Sequence, residues 1–265
     1  MKARTQTSLA VSADGEEWVL LNASPDLRAQ VQATPALWPR GSPRGSPIAA
    51  VILTGAEVDQ TAGLLTLREG QEFAVLATAQ THAALAANPI FSVLAADVVA
   101  RKVVGCGEPF ALPGGVSAEL FAVPGKVALY LEGGNPALDA ETEANVGVEL
   151  ACADARLVYV PGAAAVTAAL RKRLARADVL FFDGTLFRDD EMITAGTGLK
   201  TGRRMGHMPL DGESGTLAAL AGLPGRRILI HINNTNPILV EGSPERRKVE
   251  EAGFEIAEDG MEIAL

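Results

Sequence analysis

The chain of 265 residues is poor in cysteine, in histidine and in basic side chains. It has only Cys106 and Cys152 and no C-x-x-C pair, so neither a disulfide framework nor a thiolate zinc site is expected. Basic residues number 23 against 32 acidic ones, and the net charge of -9 argues against nucleic acid as a partner. No unbroken apolar run reaches the roughly 20 residues of a spanning helix, and the N-terminus lacks a signal peptide. We therefore expect a cytoplasmic protein without membrane insertion.

Short apolar runs separated by turn residues recur along the chain, and several precede segments with helical spacing. This alternation is typical of α/β or layered α+β proteins, and 48% hydrophobic residues suffice for a sizeable core. The predicted strands are Thr7–Ser12, Trp18–Asn22, Ala49–Thr54, Phe73–Ala77, Val116–Val123, Val127–Glu132, Val146–Ala151, Leu157–Val160, Val179–Phe182, Arg227–His231, Glu255–Ala257 and Glu262–Leu265. The predicted helices are Pro25–Ala33, Thr61–Arg68, Gln80–Ala87, Ala163–Ala175, Gly215–Ala221 and Pro244–Ala252. Neither a repeat nor a domain linker is evident, so residues 1–265 are predicted to form one domain.

The most informative segment follows the apolar run that ends at Leu53. Asp59 lies in it between two further polar residues, Glu57 and Gln60. An aspartate at such a strand-to-helix turn can ligate a metal ion, or it can cap the helix predicted from Thr61. The sequence leaves both roles open.

Two of the three histidines occur where sites are commonly built. His207 lies in a turn-rich stretch among glycines and a proline, which is typical of a loop that presents a side chain. His231 ends a predicted strand and precedes the polar run 232–237. In layered α/β proteins the loops at strand ends carry function, because the rigid sheet positions them. His82 lies on a predicted helix without polar neighbours and is expected to have a structural or surface role.

These residues together suggest a metal site. A carboxylate and two imidazoles that leave coordination positions open suit non-haem Fe(II), whereas three or four imidazoles favour zinc. Asp59, His207 and His231 are therefore the candidate catalytic and metal-binding residues. Glu57 is a further candidate oxygen ligand, and Gln60 is either a weak ligand through its amide oxygen or a residue that orients a bound water.

Six segments of the chain together resemble the coenzyme PQQ synthesis protein B family. They are Ser46–Thr54, Gly63–Gly70, Val123–Val127, Phe182–Thr185, Lys200–His207 and His231–Pro237. The resemblance runs from about Arg4 to the C-terminus. It implies an α/β fold, a metallo-β-lactamase-like αββα sandwich, and a role in the biosynthesis of pyrroloquinoline quinone (PQQ).

The loop around Asp59 departs from the hydrolases that share this fold. They carry Thr-His-x-His-x-Asp-His here, whereas this chain has Gly55, Glu57 and Gln60 at the three imidazole positions. Members of the resembled family ordinarily end the loop in Asp-His, so Gln60 is a departure from them as well. A neutral amide is a much poorer ligand for iron or zinc than an imidazole, and metal affinity is expected to be lower.

Two more hydrolase ligands have no counterpart in this chain. The position of a bridging aspartate falls at Gly162, and no histidine lies near Lys126. The resemblance therefore implies that the three-imidazole metal site is lost, while a second site that includes Asp59 and His231 is partly retained. A zinc hydrolase would require the missing ligands.

The resemblance leaves two functions open. One is an iron-dependent hydroxylase that acts on a tyrosine-derived PQQ precursor, and the other is a carrier that takes PQQ or its precursor towards the periplasm. Fe(II) is the expected metal, with zinc as the alternative, and a homodimer is left open. Both ligands carry several carboxylates, so substrate binding is expected from Lys200, Arg203 and Arg204, and from Asn233 and Asn234.

Members of the resembled family usually begin with a glycine-rich strand and a cysteine-rich segment that holds a structural zinc. This chain starts after both. The fold is therefore expected to lack the first N-terminal strand and the structural zinc.

Overall fold

Two β-sheets pack face to face in the computed structural model, which describes residues 2–133 and 140–265. Helices cover the outer surface of each sheet. This is the αββα sandwich that the resemblance predicts. None of the helices in the described residues combines the length and the apolar character that crossing a bilayer requires.

The first sheet has five strands in the order β1-β2-β3-β4-β5. They are β1 (Leu9–Val11), β2 (Trp18–Leu21), β3 (Ile48–Ile52), β4 (Phe73–Ala77) and β5 (Val99–Val103). β1 pairs with β2 in the antiparallel direction, and the pairs from β2 to β5 are parallel. The carboxyl ends of β2 and β3 therefore lie at one edge, where Asn22 and Thr54 begin the connecting loops.

The second sheet has seven strands in the order β12-β11-β10-β9-β8-β7-β6. They are β6 (Phe110–Ala111), β7 (Ser117–Gly125), β8 (Ala140–Cys152), β9 (Ala155–Val160), β10 (Val179–Asp183), β11 (Arg226–Ile230) and β12 (Phe254–Ile256). The strands from β6 to β9 form an antiparallel meander. The strands from β9 to β12 are parallel.

Alternation along the strands produces the layers, because successive side chains of a strand point to opposite faces. In β3, Ala50 and Ile52 face the second sheet. Val51 and Leu53, which directly follows the strand, pack beneath the outer helices. The run Val179–Phe182 in β10 alternates in the same way between the two cores of its sheet. Central strands such as β3 and β10 are thus buried on two faces, which explains their nearly continuous apolar sequences.

Eight α-helices in the described part of the chain connect or cover the strands. They are α1 (Leu27–Ala33), α2 (Val58–Thr61), α3 (Ala79–Ala86), α4 (Ala168–Leu174), α5 (Glu191–Thr194), α6 (Gly202–Met205), α7 (Thr216–Ala219) and α8 (Pro244–Glu251). Thr78, Thr167 and Ser243 cap α3, α4 and α8 by accepting a backbone N–H with their hydroxyl groups. Such a cap typically stabilises a helix by about 1 kcal/mol.

Two predicted strands are wrong. The segment predicted as the strand Val127–Glu132 instead contains a short 3-10 helix, Leu129–Leu131. Leu129 N–H donates to Glu57 Oε1 and the Tyr130 hydroxyl donates to Ala56 O, so this segment is bound to the loop after β3 rather than to a neighbouring strand. The residues of the predicted strand Glu262–Leu265 are not in a strand either, although Ile263 packs against the core between the sheets.

Three arginines surround the buried carboxylate of Glu149 in β8. Arg173 and Arg176 donate to it at 2.6 and 3.0 Å, and Arg156 also contacts it. Burial acts to raise the pKa of Glu149, but the hydrogen bonds and charges of the arginines hold it below its usual value of 4.5. The folded protein therefore binds this proton less readily than the unfolded chain does, and stability falls as the pH drops through the folded-state pKa.

We expect Glu149→Gln to lower the free energy of unfolding at pH 7 by about 2 kcal/mol, because three partly exposed guanidinium groups lose the counter-charge of a buried carboxylate. The deficit relative to wild type should shrink as the pH falls below 4.5, where Glu149 takes up a proton in the unfolded chain, and should vanish once the folded-state carboxylate is protonated as well. Denaturant unfolding at a series of pH values measures both effects. Glu255→Gln is the control, since Glu255 pairs with Arg226 at the exposed surface. An equal deficit in both variants would contradict the prediction.

Candidate functional site

The candidate site lies where the carboxyl ends of three parallel strands meet. Gly162 follows β9, Asp183 ends β10 and His231 follows β11. The loop after β3 approaches the same edge from the other sheet, and Val146 N–H donates to Thr54 O at 2.9 Å. Both sheets therefore contribute to one site, as strand ends commonly do in layered α/β folds.

Asp183 holds His207 at the centre of this site. Its side chain is about 1% exposed, and Oδ2 accepts from His207 Nδ1 at 2.7 Å and from Ala163 N–H at 3.0 Å. Burial acts to raise the pKa of Asp183, but the charge and hydrogen bond of His207 keep it below its usual range. The aspartate therefore fixes the tautomer of His207. Within the described residues, His207 Nε2 makes no hydrogen bond and remains available to a ligand.

His231 is held from both sides. Its Nε2 donates to Asp59 Oδ2 at 2.6 Å, and its Nδ1 lies 2.8 Å from Thr185 Oγ1. Thr185 has one hydroxyl proton, and its shortest contact is 2.6 Å to Asp183 Oδ1, so the oxygen donates to the aspartate and accepts from His231. Burial acts to lower the pKa of His231, but its bond to Asp59 raises it.

The backbone at His231 adopts a left-handed conformation, with φ of 59°. This conformation is uncommon outside glycine, and histidine, asparagine and aspartate tolerate it best. Functional sites often contain such positions, where the surrounding structure determines the backbone angle. Here it places the ring directly beyond the end of β11, facing His207.

Three of these residues could hold a metal ion. Potential ligand atoms of Asp183, His207 and His231 all lie within 4.8 Å of one another, and the two rings stack with centroids 5.3 Å apart. The Asp59 carboxylate adds another oxygen beside His231. Two imidazoles with carboxylates are the donor set that suits non-haem Fe(II), and zinc accepts the same atoms. The residues present therefore fit a divalent transition metal.

The side chain of Gln60 participates in a helix cap. Its Oε1 accepts from Glu57 N–H at 3.1 Å, and its Nε2 donates to Thr54 Oγ1 at 3.3 Å. Thr54 in turn bonds to Asn22, whose buried side chain ties the two loops together. Both ends of the amide thus have protein partners. The helix-capping role that the sequence left open for Asp59 belongs instead to Glu57 and Gln60.

Glu57 is bound by Lys126 rather than placed beside the histidines. Glu57 Oε1 accepts from Lys126 Nζ at 3.2 Å and from Leu129 N–H at 3.0 Å. The same ammonium lies 2.7 Å from Glu132 Oε1, and the side chain of Lys126 is only 9% exposed. One buried lysine thus joins the loop after β3 to the segment after β7.

The three basic residues that were predicted to bind substrate lie in two different places. Arg204 and Lys200 lie 3.2 and 3.7 Å from Glu132 Oε2, beside Lys126, and their side chains are partly exposed. Arg203 instead donates to Ser214 Oγ at 2.8 Å. The structure therefore brings Lys200 and Arg204 together with the Glu132 carboxylate, whereas Arg203 points to another loop.

Asn233 and Asn234 occupy the turn after His231. Asn233 N–H donates to Thr185 O at 3.0 Å, and its side-chain amide donates to Thr235. Asn234 is exposed. Asn236, which the sequence reasoning did not single out, is buried and donates to Gly184 O at 2.9 Å. This turn thus fastens the loop that carries Thr185.

Asp183 and Thr185 are the site residues that sequence reasoning missed. Asp183 directly follows the apolar run Val179–Phe182. A polar residue at the carboxyl end of a predicted buried strand was the signal that identified His231, and it applies equally to Asp183. At Gly162, where the bridging carboxylate was sought, an added Cβ would lie 3.4 Å from His207 Cε1.

Comparisons with known proteins agree with this architecture. The beta-lactamase superfamily domain model matches residues 17–232. Coenzyme PQQ synthesis protein B of Methylobacterium nodulans is 57% identical over 99% of this chain and 88% of its own length. The crystal structure of Zn(2+)-bound PqqB from Methylobacterium extorquens superposes with a TM-score of 0.97, at 52% identity, over 99% of this chain and 88% of that one. A diphosphatase of the PhnP family, 19% identical, shares the fold with a TM-score of 0.67 over 97% of this chain and 83% of its own.

Proposed function

The chain belongs to the coenzyme PQQ synthesis protein B family of the β-lactamase superfamily, and we propose that it acts in PQQ biosynthesis as an Fe(II)-dependent hydroxylase. The substrate is a tyrosine-derived precursor, and the reaction adds oxygen to its aromatic ring. One observation carries the proposal. Two imidazoles and a buried carboxylate, from His207, His231 and Asp183, converge at the carboxyl ends of neighbouring strands.

In this proposal His207 and His231 would hold the metal together with a carboxylate oxygen of Asp59, and the ion would replace the proton that His231 Nε2 shares with Asp59. Fe(II) in such a site supplies the activation of dioxygen, and the protein supplies orientation. The zinc in the PqqB structure from Methylobacterium extorquens supports a divalent metal in the family. Zinc undergoes no redox change, so it would support binding but not oxygenation.

The surrounding residues orient the two rings. Asp183 accepts from His207 Nδ1 and so leaves Nε2 as the nitrogen that can bind a metal or take a proton. Thr185 fixes His231 through Nδ1. Outer hydrogen bonds of this kind typically change metal affinity by about 10- to 100-fold. Asp183 and Thr185 are therefore positioning residues. They lie at the end of β10, whereas the expected bridging aspartate falls at Gly162 after β9.

A second function, carriage of PQQ or its precursor, is favoured by Gln60. Its amide is engaged by Glu57 and Thr54 within the helix cap, so it does not add a strong ligand to the site. A carrier needs an anion-binding surface without turnover, and Lys200 and Arg204 are the partly exposed cations of that region.

An anaerobic reconstitution separates the two functions. The protein is purified without oxygen, loaded with Fe(II), and mixed with the tyrosine-derived intermediate before oxygen is added. The hydroxylase is expected to yield a product with additional ring oxygen, detected by mass spectrometry with labelled dioxygen. His82→Asn should behave like the wild type, since His82 lies on α3 and its Nε2 bonds to Lys102 O.

The outcomes are distinct for each function. Labelled product from the wild type rejects the carrier. Tight binding of PQQ, without iron uptake and without product, rejects the hydroxylase. Product formation that persists in His231→Asn would show that the oxygenation does not depend on the proposed centre.

A further inference from the structure

A cleft of about 390 Å³ opens beside Asp59. Pro25, Val58, Leu129 and Tyr130 supply its apolar wall. A volume of this order suits a small-molecule ligand. Since Asp59 Oδ2 is 2.6 Å from His231 Nε2, a ligand in the cleft lies directly next to the candidate metal centre.

Tyr130 is exposed and yet held in place. Its side chain is 46% exposed, and its hydroxyl donates to Ala56 O at 2.9 Å, which fastens the ring across the loop that carries Asp59. Leu129 N–H donates to Glu57 Oε1 at 3.0 Å and fixes the neighbouring wall. An aromatic face positioned in this way can stack on another ring at little entropic cost.

The acidic residues at the cleft do not make it a site for cations. Glu57 is neutralised by the ammonium of Lys126, and Asp59 is paired with His231. With both carboxylates engaged, the surface offered to a ligand is mainly apolar and aromatic, with Gln6 as the remaining polar residue. A flat conjugated ring fits that surface better than an aliphatic polyanion does.

We propose that Tyr130 is a specificity-determining residue, which holds the aromatic ring of the substrate in this cleft beside Asp59. The proposal rests on the proposed function in one respect, that the ligand is aromatic. Tyr130 acts through the face of its ring, and its hydroxyl serves to anchor that ring to Ala56. Val58 and Leu129 enclose the edges of the bound ring.

Equilibrium titration of the metal-free protein with PQQ tests this role without turnover. Tyr130→Ala is expected to weaken PQQ binding about tenfold, while Tyr130→Phe stays within about twofold of wild type because it keeps the ring. Binding of citrate, a non-aromatic polycarboxylate, should be equal in all three proteins. Trp38→Ala is the control, since Trp38 is an exposed aromatic residue that does not line the cleft.

Several results would overturn the role of Tyr130. They are equal PQQ affinity in Tyr130→Ala and wild type, an equal loss in Tyr130→Phe and Tyr130→Ala, and no PQQ binding by the wild type. The proposed reaction is judged separately, by labelled product. If PQQ binding depends on Tyr130 but no labelled product forms, the hydroxylase is rejected and the role of Tyr130 stands. If labelled product forms but Tyr130→Ala does not change PQQ binding, the hydroxylase stands and the role of Tyr130 is rejected.

Discussion

His231→Asn is expected to lower the affinity for Fe(II) and for Zn(II) at least about 100-fold. His231 supplies an imidazole to the candidate centre and also contacts Asp59, so its loss removes one ligand and frees a second. Changing an outer partner alone typically costs about 10- to 100-fold, and losing a ligand should cost no less. Asparagine is chosen because it tolerates the left-handed backbone found at this position.

The affinities are measured by anaerobic competition against a chromophoric chelator. His82→Asn is the matched control, since His82 lies on α3 with its Nε2 3.0 Å from Lys102 O. Thermal unfolding checks that both variants remain folded. Wild-type affinity in a folded His231→Asn protein would place the metal elsewhere in the chain.

Gln60→His is expected to raise the affinity for Fe(II) about tenfold or more, because a neutral imidazole is a far better ligand than an amide. Gln60 follows Asp59 directly and is buried in the same loop. The substitution also removes the hydrogen bonds to Glu57 N–H and Thr54 Oγ1. A fall of about 1 kcal/mol in the free energy of unfolding should accompany the gain in affinity.

Gln60→Ala separates the two effects of that substitution. It removes the same hydrogen bonds and adds no ligand, so it should lose similar stability while metal affinity stays at the wild-type level. The same chelator competition and denaturant unfolding measure both variants. If Gln60→His folds and binds iron no better than Gln60→Ala, position 60 does not face the metal.

The layered architecture was accessible from the sequence because its signals are local. Apolar strand runs such as Val179–Phe182 and Arg227–His231 stand out by composition. The αββα sandwich was predicted from the motifs that the chain shares with the family. The segment Val127–Glu132 was wrongly predicted as a strand, because its apolar residues suit a strand as well as they suit the 3-10 helix that it forms. Its 3-10 helix is held by hydrogen bonds to the loop after β3, which is distant in the sequence, and no local pattern contains that information.

The site was accessible only in part, for a related reason. His207 and His231 were singled out because histidine is rare in this chain and both flank turns, and the structure brings their rings together. Asp183 was missed since aspartate is common, and its role depends on the neighbouring strands that bury it. The helix cap by Gln60 and the contact of Arg203 with Ser214 likewise depend on tertiary placement.

Lys126 allows one wall of the site to form during folding, whereas a wall held by a metal ion forms only after the ion binds. Its ammonium draws Glu57 and Glu132 together with distances of 3.2 and 2.7 Å. A covalently attached cation is present as soon as the chain is synthesised and cannot be removed by a chelator. The loop after β3 and the segment after β7 can therefore close during folding itself, before any ion arrives. Starvation for metal would then leave the aromatic cleft formed and the histidine pair unloaded.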